Sequence, residues 1–295
     1  GHQTSCQVCN SNKLHLILDL GHQPLCDTLL TKDMLNQPEK TYPLRMLWCE
    51  QCTCVQIDYC VSGREVYHPD YPYRVELRGL PVEFRHDQEN LWTTIHTPAG
   101  PVPIHLYQSA QMARDGISLP FVKSYPIRSA GDLEAVAQIF EHLEVVPTPQ
   151  AYAAFHERIG EQGLAVASGP GVASPVHLML HDLMPMDQFF YFYHDDRQAV
   201  ARLAAQMTPV FEAMIEALAA CRAEVVLWGA NYDQDLTWPA FFTAEIAPWL
   251  QKVGARLHQE DKCLLTHTDG ENEALLPLYP ACGFDVAESV CPAPM

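Results

Sequence analysis

With 295 residues, 48% of them apolar, the chain is long enough to bury a substantial core in one or two domains, which excludes a disordered protein. Its net charge of -18 repels phosphate backbones and anionic lipid, so nucleic acid and membrane surfaces are poor partners. No apolar run reaches the roughly 18 residues needed to span a bilayer.

The first chemical signal comes at the start of the chain. Cys6-Gln-Val-Cys9 and Cys49-Glu-Gln-Cys52 are two C-x-x-C pairs with 39 residues between them. A two-residue spacer lets both sulfurs of a pair face one ion, and four thiolates suit a tetrahedral zinc that keeps no open position for catalysis. Cys6, Cys9, Cys49 and Cys52 are therefore the expected ligands of a structural zinc. Cys26, Cys54 and Cys60 crowd the same region, and Cys54 offers an alternative fourth ligand, but the paired spacing favours Cys49 and Cys52. A disulfide framework is the competing reading. Against it, the 11 cysteines are an odd number that includes isolated Cys221, Cys263 and Cys282, expected to be buried, and no apolar signal segment precedes Cys6. A reducing, cytoplasmic setting is expected.

Leu14 to Leu20 reads as a strand, Gly21-His22-Gln23-Pro24 as a turn, and Leu44 to Trp48 with Val55 to Tyr59 as a hairpin flanking the second cysteine pair. Up to Arg74 there are 6 Lys and Arg against 8 Asp and Glu, a net of -2, so -16 of the total lies beyond. That shift implies a domain change near residue 75. A zinc-ribbon-like β domain over 1-74 is expected, followed by a second domain over 75-295.

The stretches C-Q-V-C, L-D-L-G-H-Q-P-L, Y-P-L-R-M-L-W-C-E-Q-C and V-Y-H-P-D-Y-P-Y-R, between residues 4 and 74, together resemble the N-terminal zinc-binding domain of sugar C-methyltransferases. In those enzymes the next domain binds S-adenosylmethionine. Here no strand leads into a glycine-rich nucleotide turn after Arg74, and proline makes Gly169-Pro170-Gly171 a poor cofactor loop.

Beyond Arg74 the sequence takes on a β/α rhythm. Leu91 to Gln108 reads as a hairpin around Thr97-Pro98-Ala99-Gly100, and Ser129 to Asp132 as the cap of a helix running to about Leu143. Helices are expected over Gln150 to Ile159, Pro185 to Ala220, Thr243 to His258 and Glu271 to Tyr279. Strands are expected over Leu164 to Ser168, Glu224 to Trp228, Cys263 to Thr266 and Asp285 to Ser289. Such alternation argues for parallel strands with crossover helices, an α/β fold of partial TIM-type barrel form. The apolar stripe containing Met207, Phe211 and Met214 reads as core. Polar residues gather just after the strands: Asn231, Asp233 and Asp235, then His267 and Asp269, then Glu288 and Cys291. In a β/α barrel the carboxyl ends of the strands share one face, so these residues would converge there, although Asp233 and Asp269 could equally cap helices or satisfy loop backbone.

Six motifs carry a second resemblance: T-P-A-G at 97-100, A-V-A-S-G-P at 165-170, V-V-L-W-G-A-N-Y-D at 225-233, F-T-A-E-I-A-P-W-L at 242-250, C-L-L-T-H-T-D-G at 263-270 and G-F-D-V-A-E at 283-288. In this order they resemble the uroporphyrinogen decarboxylase superfamily, β/α barrels that include tetrapyrrole decarboxylases and zinc-dependent methyltransferases exchanging methyl groups with a corrinoid protein or a thiol. The decarboxylase branch handles a polyanion, yet the only Lys and Arg beyond Arg222 are Lys252, Arg256 and Lys262, so methyl transfer is the favoured branch. Its His-x-Cys zinc motif is replaced here by His267-Thr-Asp269. With methyl transfer as the reading, the residues after the strands supply Asn231, Asp233 and Asp269 as catalytic candidates, and a second zinc is expected at His267 with Glu288 and Cys291 to complete it. Its partners would be a small-molecule substrate or a corrinoid protein.

Four parallel strands fall short of a closed barrel, so a fragment or fusion is expected, with an open edge prone to homo-oligomer formation. The competing functional readings are a non-catalytic zinc-stabilised assembly module, a fragment of an S-adenosylmethionine-dependent sugar C-methyltransferase, and a uroporphyrinogen decarboxylase.

Overall fold

The structure is a computed structural model that describes residues 2-6, 9, 11-24, 41-52, 55-58, 71-114, 119-160 and 164-290. The chain divides into two compact units, Gly1–Glu65 and a larger one comprising Val66–Gly160 and Leu164–Met295.

The first unit is a three-stranded antiparallel sheet in the order β1-β2-β3, formed by β1 (Leu14–Pro24), β2 (Thr41–Cys49) and β3 (Val55–Ile57). The β2–β3 pair is the expected hairpin, with Met46 opposite Ile57 and Trp48 opposite Val55. The expected turn at Gly21 to Pro24 is instead strand. The register shifts between Asp19 and His22, and the Asp19 carboxylate accepts the Gly21 N–H at 2.8 Å, so an irregularity is absorbed and pairing resumes. Asp58, buried to 5% exposure, ties the far end of the sheet by accepting from the Arg45 guanidinium and from His2 Nδ1.

Among its described residues the second unit contains three sheets. β4 (Tyr73–Leu77) pairs antiparallel with β9 (Leu143–Pro147). β5 (Val82–His86), β6 (Asn90–Thr97), β7 (Gly100–Tyr107) and β8 (Phe121–Ser124) form an antiparallel sheet in chain order, with α1 (Ala110–Arg114) before β8. The expected Leu91 to Gln108 hairpin is the β6–β7 pair. Its tight turn requires Gly100 at φ +134, a backbone region open to glycine, and Thr97 Oγ1–H donates to the Gly100 carbonyl at 2.8 Å.

The third sheet is parallel: β10 (Val166–Ser168), β11 (Val225–Leu227), β12 (Cys263–His267) and β13 (Val286–Glu288), in that order. These are the four parallel strands expected from the sequence. No closed barrel is formed among the described residues, since the other strands pair in separate antiparallel sheets. The helices are α2 (Leu133–Glu141), α3 (Pro149–Ile159), α4 (Pro175–Leu178), α5 (Met186–Asp195), α6 (Arg197–Ala220), α7 (Pro239–Phe241) and α8 (Ala247–His258). Single π-helical stretches lie at Met179–Leu183 and Phe242–Ile246.

Two expected helices come out differently, each for a local reason. The Pro185 to Ala220 region breaks at Asp196, whose carboxylate caps α6 by accepting the Ala199 N–H at 3.0 Å. Glu271 to Tyr279 forms turns and then a 3-10 helix over Leu276–Ala281, because Pro277 and Pro280 cannot donate to an α-helical ladder. At the other end of α6, the buried Lys262 donates to the Cys221 and Ala223 carbonyls and so satisfies buried acceptors in the segment that leaves the helix.

One face of the parallel sheet is buried throughout. Ala167, Val226, Trp228, Leu264 and Thr266 are wholly buried, and Trp228 meets Phe211 of α6 edge-on at 6.1 Å. Gly254 of α8 is needed for this packing, because a Cβ there would lie 2.2 Å from the Gly283 carbonyl oxygen. The expected stripe on α6 is core, with Met207 and Phe211 buried and Met214 packed against them. On the other face Val166 and Leu265 are buried while Ser168, Leu227 and His267 are half-buried, and that face carries His267 and Glu288 at its carboxyl end. Cys263 corrects an expectation: it is exposed at the start of β12, whereas Cys221 and Cys282 are buried. Among the described residues no helix is long and apolar enough to cross a membrane.

Candidate metal centre and sheet-rim site

The two cysteine pairs meet. Cys49 ends β2, where its residue pairs with Leu14, and the Glu50 N–H donates to the Lys13 carbonyl. Across from it, Cys6 starts a turn closed by its own N–H on the Ser11 carbonyl at 2.7 Å. The sulfurs of Cys6, Cys9, Cys49 and Cys52 all lie within 4.8 Å of one another, with Cys6 to Cys52 at 3.5 Å and Cys9 to Cys49 at 3.6 Å. Zinc–sulfur bonds of about 2.3 Å in a tetrahedron place sulfurs roughly 3.8 Å apart, so the quartet fits a zinc ion without rearrangement. Burial opposes ionisation of Cys49, but the N–H groups of Cys52 and Gln51 together with the neighbouring Cys9 and Cys52 sulfurs hold its thiol below its ordinary pKa, while that of Cys9 is shifted up. Cys26, Cys54 and Cys60 lie outside the described residues.

The second site is the carboxyl edge of the parallel sheet. His267 and Glu288 are register partners on β12 and β13, and His267 Nδ1 lies 2.5 Å from Glu288 Oε1. The Asn231 N–H donates to the His267 carbonyl at 3.2 Å, so the ends of β11, β12 and β13 adjoin. Asn231 is exposed and takes φ +57, an uncommon backbone for a residue other than glycine. Asp233 has a different role. Its Oδ1 accepts the Asp235 and Leu236 N–H groups and its Oδ2 accepts the Glu271 N–H, which stitches the loop after β11 to the loop after β12. Asp269 is exposed in that second loop. Cys291 lies outside the described residues. Among the described residues only the cysteine quartet gathers three or more metal-ligating side chains, so His267 and Glu288 acquire no third ligand there.

Behind this edge lies a buried layer that motif reading does not single out. Tyr232 is wholly buried, its hydroxyl is 2.8 Å from Thr266 Oγ1, and its ring stacks on His177 at 5.8 Å. Gly229 makes room for it, since a Cβ there would lie 2.3 Å from the Tyr232 hydroxyl. His177 accepts the Ala173 N–H at Nδ1, and its buried Nε2 has no hydrogen-bond partner among the described residues. Burial, with a smaller contribution from His181, pushes the His177 pKa down to about 3.

The sign of the resulting pH dependence is fixed. A histidine neutral in the fold and basic when unfolded contributes stability that is complete above its ordinary pKa of 6.5 and is lost as pH falls from there toward 3. Between pH 6.5 and 4.5 the loss should be about 2 kcal/mol. Urea midpoints at those two pH values should fall further for the wild type than for His177→Asn, and equal falls would contradict the assignment.

The comparisons with known proteins bear first on the cysteine quartet. Residues 6–67 match the family model Methyltransf_13, a zinc binding domain. The resemblance drawn for the N-terminal segment is thus shown at the level of a zinc binding domain, and the quartet is a cluster within that segment that could hold a metal. A solved structure, a methyltransferase from Methanosarcina mazei, is similar over 57% of this chain at 18% identity with a TM-score of 0.38. The match covers 49% of that structure, so the chain spans about half its length. No curated protein matches the chain.

Proposed function

We propose that the chain joins a structural zinc module to a β/α unit of uroporphyrinogen decarboxylase superfamily type, and that the second unit acts in methyl transfer between a corrinoid or thiol carrier and a small acceptor. The observation that carries this reading is the meeting of His267 and Glu288 at the carboxyl ends of adjacent parallel strands, the edge at which β/α folds assemble their sites. Support at the other end of the chain comes from a zinc binding domain model named for methyltransferases.

In this reading His267 takes the proton of the thiol that receives the methyl group. The new sulfur–carbon bond forms as the donor's bond to the methyl breaks, its electron pair remaining on the donor. A corrinoid partner, when bound, supplies an electrophilic methyl group. Asn231 and Asp269, exposed beside His267, orient the acceptor by hydrogen bonding, while Asp233 holds the loops that present them. The described residues do not complete a second zinc site, and no step is drawn through one.

Methyl transfer from methylcobalamin to a simple thiol, followed by loss of the methylcobalamin absorbance, tests the proposal. His267→Ala should slow it by about 100-fold, the lower range for loss of a general base, with the cysteine-bound zinc retained. An unchanged rate would remove His267 from the mechanism. Metal analysis of the same pair of proteins belongs beside it: one zinc in each agrees with the mechanism as written, and a second equivalent lost with His267 would place a metal at the rim.

A further inference from the structure

We infer that Glu288 is a positioning residue for His267 rather than a metal ligand, and that Ser289 locks it in that role. This rests on the proposed function for its catalytic meaning, though not for its geometry. Glu288 ends β13 at 7% exposure, and a carboxylate so buried requires partners for its charge. Its two side-chain oxygens are engaged on different sides, Oε1 facing His267 Nδ1 at 2.5 Å and Oε2 accepting the Ser289 hydroxyl at 2.8 Å. Its backbone is held as well, since the Thr268 N–H and Oγ1–H both donate to the Glu288 carbonyl, at 2.9 and 2.8 Å.

Ser289 adopts φ +58, a left-handed backbone that serine rarely takes. The conformation accompanies the turn of its hydroxyl back onto the neighbouring carboxylate. Two of the three non-glycine residues with positive φ among the described residues, Asn231 and Ser289, thus lie in the segments that follow β11 and β13, the strands on either side of β12. Strained backbone of this kind persists where the surroundings over-determine it, and it concentrates at functional sites.

An ionised carboxylate only accepts hydrogen bonds, so the pairing requires the His267 proton on Nδ1. The lone pair then sits on Nε2, the nitrogen able to take a proton from an acceptor or to hold an ion. This is how a carboxylate behind an imidazole selects one tautomer and one ring orientation. Glu288 therefore acts on the chemistry through His267 and does not touch the substrate.

Nitrogen-15 NMR of the histidine side chains in the full chain reads the tautomer directly, with the His267 signals assigned by their loss in His267→Gln. The wild type should show the Nδ1–H form. Glu288→Ala should shift His267 toward the mixture of an unrestrained imidazole, and Ser289→Ala should shift it less. Should Glu288→Ala fail to fold, Glu288→Gln, which keeps the volume but weakens the acceptor, should still lower the Nδ1–H population. A wild-type Nε2–H form, or a tautomer unchanged in every folded Glu288 variant, would overturn the inference. In the methyl-transfer assay the Glu288 variants should lose about 10- to 100-fold in kcat with KM nearly constant. A wild type that shows the Nδ1–H form and transfers no methyl would sink the proposed function and leave the positioning role standing.

Discussion

Cys49→Ser should strip the chain of its zinc and unfold the first unit while the second remains folded. Cys49 is wholly buried at the end of β2 and is the residue through which the sheet reaches the metal. Among the described residues there is little apolar burial on β1 to hold the unit: Leu16, Ile17, Leu18 and Leu20 are 52%, 53%, 43% and 50% exposed. So small a sheet cannot offset the chain entropy lost on folding by apolar burial alone. Structural zinc supplies apparent binding energy of about 10 kcal/mol or more at neutral pH, and in such a unit that is folding energy. The measurement is zinc content together with circular dichroism and limited proteolysis. New cleavage confined to the N-terminal segment, with the second unit protected, is the expected pattern. A Cys49→Ser protein that keeps one zinc and resists protease would contradict it.

Trp228→Ala should be the most damaging single change in the second unit. The indole is wholly buried directly after β11, packs on Phe211, and donates from Nε1 to the Ala173 carbonyl at 3.0 Å. It also fills the space beside Gly169, where a Cβ would come within 2.6 Å of its ring. One side chain therefore ties the parallel sheet to α6 and to the loop after β10. Removing a buried tryptophan costs about 3 to 5 kcal/mol, and an orphaned buried carbonyl adds about 1 to 3. Against a typical domain stability of about 5 to 15 kcal/mol, the variant should approach unfolding. Trp228→Phe, which restores most of the volume but not the hydrogen bond, should lose clearly less. Urea denaturation gives the comparison, and a loss below about 1 kcal/mol for Trp228→Ala would show that the loop and helix are held by other contacts.

How far these features could be read from the sequence depended on whether the signal was local. The cysteine quartet was legible because ligand chemistry imposes spacing: two short x-x spacers suffice to propose one ion, and the four sulfurs do converge. The parallel strands were legible as short apolar runs, and their order follows the chain. The Gly21 to Pro24 segment was misread because glycine and proline signal turns locally, whereas pairing of Gln23 with Tyr42 and of Pro24 with Thr41 is a property of the partner strand. The pairing of β4 with β9 was missed for the same reason, its two strands lying far apart in the chain.

At the rim, the gathering of polar residues after strands pointed to the edge where His267 and Glu288 meet but not to what each side chain contacts. Asp233 and Glu288 are both acidic residues near strand ends. The first is consumed by three backbone N–H groups, and the second faces an imidazole across a strand pair. Only the register, which aligns His267 with Glu288, separates them. His177 carried no motif, and Tyr232 was not singled out within the 225-233 motif, since their importance lies in burial and in a stacking contact between α4 and the loop after β11.

The most direct test of the claim that the four cysteines hold one structural zinc is zinc K-edge X-ray absorption on the purified chain. The account predicts four sulfur neighbours at about 2.3 Å and no open or water-filled position. A first coordination sphere containing nitrogen or oxygen, or fewer than four sulfurs, would contradict it.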